Sequence, residues 1–300
     1  MRARNRITTG GQLARQCWDL LRENVEWIKI PLLSSIGVII VTVIFAILSA
    51  LVYAVSGSSA DSQNSGSGLS FVGIVLLFLY YFAMYSVVIY SETALVSIVL
   101  MKLRGQKSNP TAADGFAVAN QRLSAILGFA ALSATVGVIA RLITEGGRNS
   151  KNFIVAIVFS LLASLIQGAW TFMTLLVTPV IVSENDGAFD AIGRSWDLFK
   201  KTWGEQVVGR FTLGFFGCLL TLAAMVPGAL VAGLGAAAKA PVLVIIGVAG
   251  LFVGIAIIAL LTSAAGAIFK AVVYLYATEG TTGGLLDEAA VRGVFVPANS

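Results

Sequence analysis

The chain has 300 residues, 57% hydrophobic and only 12% charged, with a net charge of +5, where a soluble domain carries about 25% charged residues. Mean hydropathy is +0.89, so water is not the only solvent, and the basic excess lacks the stripe with stacking aromatics that a nucleic-acid partner needs. The sequence holds no histidine, which excludes Ser-His-Asp and Cys-His catalysis and His-zinc sites; with no Walker, Rossmann, zinc or nucleophile-elbow motif either, no cofactor is expected.

In chain order, a polar, basic and aromatic segment from Met1 to Lys29 precedes the first apolar run, Pro31 to Val55. That run begins too late and lasts too long for a cleaved signal peptide, so it is an uncleaved first span. Gly57 to Gly68 is a flexible Gly/Ser loop without Lys or Arg. The second run, Leu69 to Met101, exceeds the ~20 residues that cross a bilayer, and Glu92 interrupts it, so its end extends into the interface. Thr111 and Asp114 have the spacing of a capping box and start a helix that leads into the third span, Ala125 to Ile143. The fourth span is Phe153 to Val182 and the fifth starts near Val207. Pro227-Gly228 should end or kink it, since proline removes a backbone donor and clashes with the preceding turn. The last span lies within Pro241 to Ala277, and a tail runs from Glu279 to Ser300. Cys17 and Cys218 lie in a basic segment and in a span, which disfavours a disulfide. The fold class is all-α: a single polytopic transmembrane domain over 1–300, with six spans.

Sixteen of the 20 Lys and Arg fall in the N-terminus, the second-to-third and fourth-to-fifth connections and the C-terminal side. The other four are Arg141, Arg148, Lys151 and Lys239. The positive-inside rule places the sixteen, and both termini, in the cytoplasm.

Between Gly187 and Trp203, the residues Phe189, Ile192, Trp196, Phe199 and Trp203 recur at spacings of 3, 4, 3 and 4, one helical face. Asp190, Arg194, Asp197, Lys200 and Lys201 fall elsewhere, the pattern of a helix lying in the membrane interface. The N-terminal segment repeats it, with Cys17-Trp-Asp-Leu-Leu21 against Ser195-Trp-Asp-Leu-Phe199. Trp18, Trp27, Trp196, Trp203 and Phe199 are the expected interfacial anchors, in a face that either holds the bilayer or docks a cytoplasmic partner.

The even-numbered spans close on Ser91-Glu92, Ser183-Glu184 and Thr278-Glu279, each followed by an Asp (Asp114, Asp190, Asp287) in the next polar segment. The unit of interfacial helix plus helical hairpin thus recurs three times, over about 11–101, 110–182 and 187–278. Same-orientation repeats occur in transporters and suit a static bundle equally.

Pro31-Leu-Leu-Ser34, Arg104-Gly105 with Pro110 to Gly115, Ser133 to Gly137, Gly168-Ala-Trp170, Pro179 to Glu184, Arg194-Ser-Trp196 and Thr202 to Glu205 resemble an uncharacterised family of six-pass prokaryotic membrane proteins. They are distantly similar to the membrane domain fused to some glycerophosphodiester phosphodiesterases, whose catalytic domain and histidines this chain lacks. The resemblance implies a fold and a location in the prokaryotic cytoplasmic membrane, with no activity to carry over.

Candidate polar positions follow. Gln167, inside the fourth span, needs a partner on a neighbouring helix or contacts a ligand. Gly250 and Gly254 have GxxxG spacing. Lys270, within the last apolar block, either snorkels to the headgroups or works inside the membrane. Glu92, Glu184 and Glu279 end their spans in ionic contacts for which Arg15, Arg122 and Arg194 are the expected partners. The reading is a non-enzymatic protein of the lipid bilayer with an interaction or membrane-organising role and a cytoplasmic or membrane protein as partner; the alternative is a small-solute or ion transporter.

Overall fold

A computed structural model describes residues 19–56, 71–148, 152–203, 212–238, 240–281 and 283. All regular structure among them is helical. Residues 19–23 are helical and lead to a 3-10 turn, Val25–Ile28, then α1 (Lys29–Ser56), α2 (Phe71–Leu103), α3 (Ala112–Gln121) and α4 (Leu123–Arg148). α5 (Phe153–Met173), α6 (Val177–Glu184), α7 (Ala188–Trp203), α8 (Thr212–Ala237) and α9 (Pro241–Glu279) follow. Trp18, Arg15, Cys17, the Gly57–Gly68 loop, Arg210 and Asp287 lie outside the described residues.

The helix ends follow local chemistry. Asn152 accepts a hydrogen bond from the Ile154 N–H at 2.9 Å and starts α5. Pro241, with no N–H to leave unpaired, opens α9. Gly280, at φ +71°, closes it in the left-handed conformation that glycine adopts without strain.

Five stretches are long and apolar enough to cross a bilayer: Val25–Val52, Phe71–Leu103, Leu123–Arg148, Phe153–Glu184 and Pro241–Glu279. The chain is therefore a multi-pass membrane protein by helix length and composition. In the expected place of the fifth span stands α8, whose Met225–Ala237 is a shorter apolar stretch.

Two compact units divide the chain. One comprises 1–32, 98–112 and 200–300, the other 33–97 and 113–199. In the first, α8 and α9 form a hairpin in which the backbones nearly touch: a Cβ on Gly228 would stand 2.9 Å from the Gly247 carbonyl oxygen. One on Gly247 would fall on the backbone of Ala232. Gly250, half of the expected GxxxG motif, faces open space instead. Close approach here depends on Gly228 and Gly235 of α8 and Gly247 of α9, with Gly228 and Ala232 at the small-xxx-small spacing that lets backbones meet. α8 also runs through Pro227, so of the two expected outcomes, an end or a kink, the helix does not end there. Transmembrane helices tolerate proline where neighbouring helices and local adjustment satisfy the freed carbonyl.

In the second unit, α1 runs against α2 through Gly37 beside Val87, Thr42 beside Met84 and Phe45 edge-on to Tyr80. α4 and α5 form a second hairpin, with Gly147 against Phe159 near the turn and Phe129 beside Trp170 further along. The buried face of α4 is built largely of small residues, Ala125, Ala130, Ser133, Ala134 and Ala140, which let helices approach where no water drives them together.

The expected fourth span is broken. α5 stops at Met173 and α6 starts at Val177. Pro179 has no N–H to return to the Leu175 carbonyl and its ring crowds that carbonyl. The chain between them turns tightly, Leu175 N–H donating to the Phe172 carbonyl at 3.4 Å.

Candidate functional site

The polar chemistry of the second unit gathers at this break and at α7. The Ser195 hydroxyl, fully buried, donates to the Met173 carbonyl at 2.8 Å and accepts from the Leu176 N–H at 3.1 Å. It thereby supplies a partner to one carbonyl and one N–H at the interruption. Ser195 sits on a stripe of Ala188, Ala191, Ser195 and Leu198, all buried, with Ala188 against Gly128 of α4.

α7 therefore has three faces. The small-residue stripe meets protein. Phe189 is 74% exposed and Trp196 37%, while Phe199 is half-buried, stacked on Trp196 at 5.5 Å and beside Phe172 at 5.7 Å. The third face carries Asp190, Arg194, Asp197 and Lys200, all exposed. The side chain of Trp203 is outside the described residues. The protein-facing stripe escapes sequence reading because alanines and a serine give a weaker periodic signal than five large apolar residues. Its own spacing of 3, 4 and 3 is the signal that finds it.

Glu184 and Glu279 end their helices, whereas Glu92, expected to close its span, lies inside α2, which continues to Leu103; each of the three carboxylates has a polar neighbour. Glu184 pairs with Arg194, Nε to Oε2 at 2.9 Å. Glu279 pairs with Arg104, whose Nε and Nη2 reach one carboxylate oxygen at 3.0 and 2.8 Å. Glu92 accepts a hydrogen bond from Thr178 at 3.3 Å. Thr178 lies in the first turn of α6, the helix end whose free N–H groups favour a negative charge. Of the expected partners, Arg194 is met. Arg122 holds its Nε buried without a hydrogen-bond partner among the described residues.

Trp27 is 1% exposed, packed into the first unit where a membrane-facing indole was expected. Its Nε1–H donates to the Pro110 carbonyl at 3.3 Å. Lys102 stands 5.5 Å over the ring and donates to the Asn24 side chain at 2.7 Å, so the indole ties the segment around Asn24 and Trp27 to the stretch from Lys102 to Pro110. Lys270 is half-buried on α9, between the buried Ile268 and Ala271. Gln167, expected in a helix contact, is exposed on α5. Among the described residues, no three Asp, Glu, Cys or His side chains converge to hold a metal ion.

A model of a family of unknown function, DUF6159, matches residues 71–284. No curated protein matches the chain, and no solved structure does.

Proposed function

We propose, from the premise that this chain belongs to the DUF6159 family of unknown function, that it is a non-enzymatic interaction or membrane-organising protein. In this reading it has six spans, lies in the prokaryotic cytoplasmic membrane and keeps both ends in the cytoplasm. α8, as apolar as its neighbours, is the sixth span. The Ser/Thr-Glu endings support the threefold repeat: the Arg downstream of α6 meets Glu184, and the Arg downstream of α2 meets Glu279.

One observation carries the functional reading: α7 is fixed to the protein through its buried small-residue stripe, with added contacts from Phe199 and Arg194, while Phe189 and Trp196 and the residues of its charged face stay exposed. Interfacial helices that only anchor need an apolar face in lipid and a charged face in water. α7 has a third face bonded through Ser195 to the break in a membrane-spanning segment. The aromatic and charged faces are thereby presented at a fixed position to a cytoplasmic or membrane partner.

The test is a photo-crosslinking residue placed at Phe189 or Trp196 in intact cells, with Ile245 as the control, which is 67% exposed on the apolar α9. Protein adducts at the two α7 positions and only lipid at Ile245 are expected. Lipid alone at all three refutes the interaction role.

A second reading, transport, is favoured by the discontinuous span with a carboxylate beside its restarted half, a plan that ion-coupled transporters use. It requires Glu92→Gln to abolish a pH-driven flux into proteoliposomes while leaving the unfolding temperature unchanged.

A further inference from the structure

α5 turns one face to α4 and leaves another uncovered. Ser160, Ser164, Gln167 and Thr171 are all exposed, at spacings of 4, 3 and 4 that put them on one line along the helix. Ala163, on a different face, is buried. The hydroxyls of Ser164 and Thr171 turn back onto their own helix, to the carbonyls of Ser160 and Gln167. The Gln167 amide has no hydrogen bond to the described residues.

Gln167 lies fourteen residues beyond Phe153, about 21 Å along the helix at 1.5 Å per residue, inside a hydrocarbon core ~30 Å thick. Lipid tails offer nothing to an amide, so a seam of this kind calls for a polar partner at the same depth. Beside it, a Cβ on Gly168 would meet nothing within 4 Å, leaving room for a second backbone to come close.

We infer that this seam on α5 joins two copies of the chain in the membrane. Every copy enters the bilayer in the same orientation, so two copies related by a twofold axis along its normal bring identical residues to the same depth. Identity suits these residues, because amides and hydroxyls both donate and accept, and Gln167 can bond to its own counterpart. The inference gives the interaction role proposed above a first partner and rests on that reading only in taking α5 as a membrane span.

The test uses the full chain with Cys17→Ser and Cys218→Ser, reconstituted in phosphatidylcholine–phosphatidylglycerol bilayers. Single cysteines at 160, 164 and 171 should form disulfide-linked dimers on oxidation, whereas Leu161→Cys and Leu165→Cys, on flanking faces, should not. Energy transfer between differently labelled chains should persist on dilution with lipid, fall at least fivefold in Gln167→Leu and return in Gln167→Asn. Linking at all five positions, or transfer that Gln167→Leu leaves unchanged, would overturn the inference. So would a monomer at every lipid ratio. A fluorophore at 165 quenched by brominated lipid tails keeps the span itself established in that case. Failure of the dimer then leaves the α7 reading to its own crosslinks.

Discussion

Ser195 has one hydroxyl and two obligations. Replacing it with alanine leaves a buried N–H at Leu176 and a part-buried carbonyl at Met173 without this partner. An orphaned buried group costs about 1–3 kcal/mol, so Ser195→Ala should lower stability by that amount in denaturant unfolding in detergent micelles. An unchanged midpoint would mean that the break satisfies itself. The ion pairs are of another order. Arg104 and Glu279 are 25% and 40% exposed as side chains, and pairs with such access to water contribute about 0–1 kcal/mol. A double-mutant cycle of Arg104→Gln and Glu279→Gln should give a coupling in that range that shrinks in 1 M salt. A coupling above about 3 kcal/mol would mark a desolvated pair. The carboxylates are legible in the sequence because charge next to a long apolar run is conspicuous. Their partners are less so: Arg194 lies ten residues from Glu184, but Arg104 lies 175 from Glu279, and only the fold brings it there.

At the level of elements, apolar length carries most of the information. Five spans can be read from it because a bilayer-crossing helix needs about 20 apolar residues whatever its neighbours. Interruptions cannot be read the same way. Pro227 and Pro179 look alike in sequence, yet α8 continues through the first while α5 ends at Met173, six residues before the second, where the Ser195 hydroxyl bonds both Met173 and Leu176. Contact glycines are equally local. Gly250 and Gly254 attract attention as a motif, but Gly247 is the one pressed against the Ala232 backbone. Overpacking a tight contact costs about 1–3 kcal/mol, so Gly247→Val should lower the unfolding temperature markedly. Gly250→Val, into open space, should change it little. Equal effects would remove Gly247 from the α8–α9 contact.

For the molecule as a whole, the arrangement of charge around the spans decides orientation. Ser62→Cys and Ser300→Cys, each with Cys17→Ser and Cys218→Ser, should respond differently to a membrane-impermeant thiol reagent added to intact cells. Position 62 is labelled and position 300 is not; labelling at 300 overturns the cytoplasmic assignment of the C-terminus. The interrupted α5–α6 segment also sets an order of assembly. Ser195 follows Met173 by 22 residues and Leu176 by 19. At synthesis rates of ~5–20 residues per second, those two backbone groups emerge about 1–4 s before the side chain that completes them. The second half of that span is therefore completed only once α7 has been made and has folded back onto it. Until then a carbonyl and an N–H at the interruption wait for a side chain that comes later in the chain.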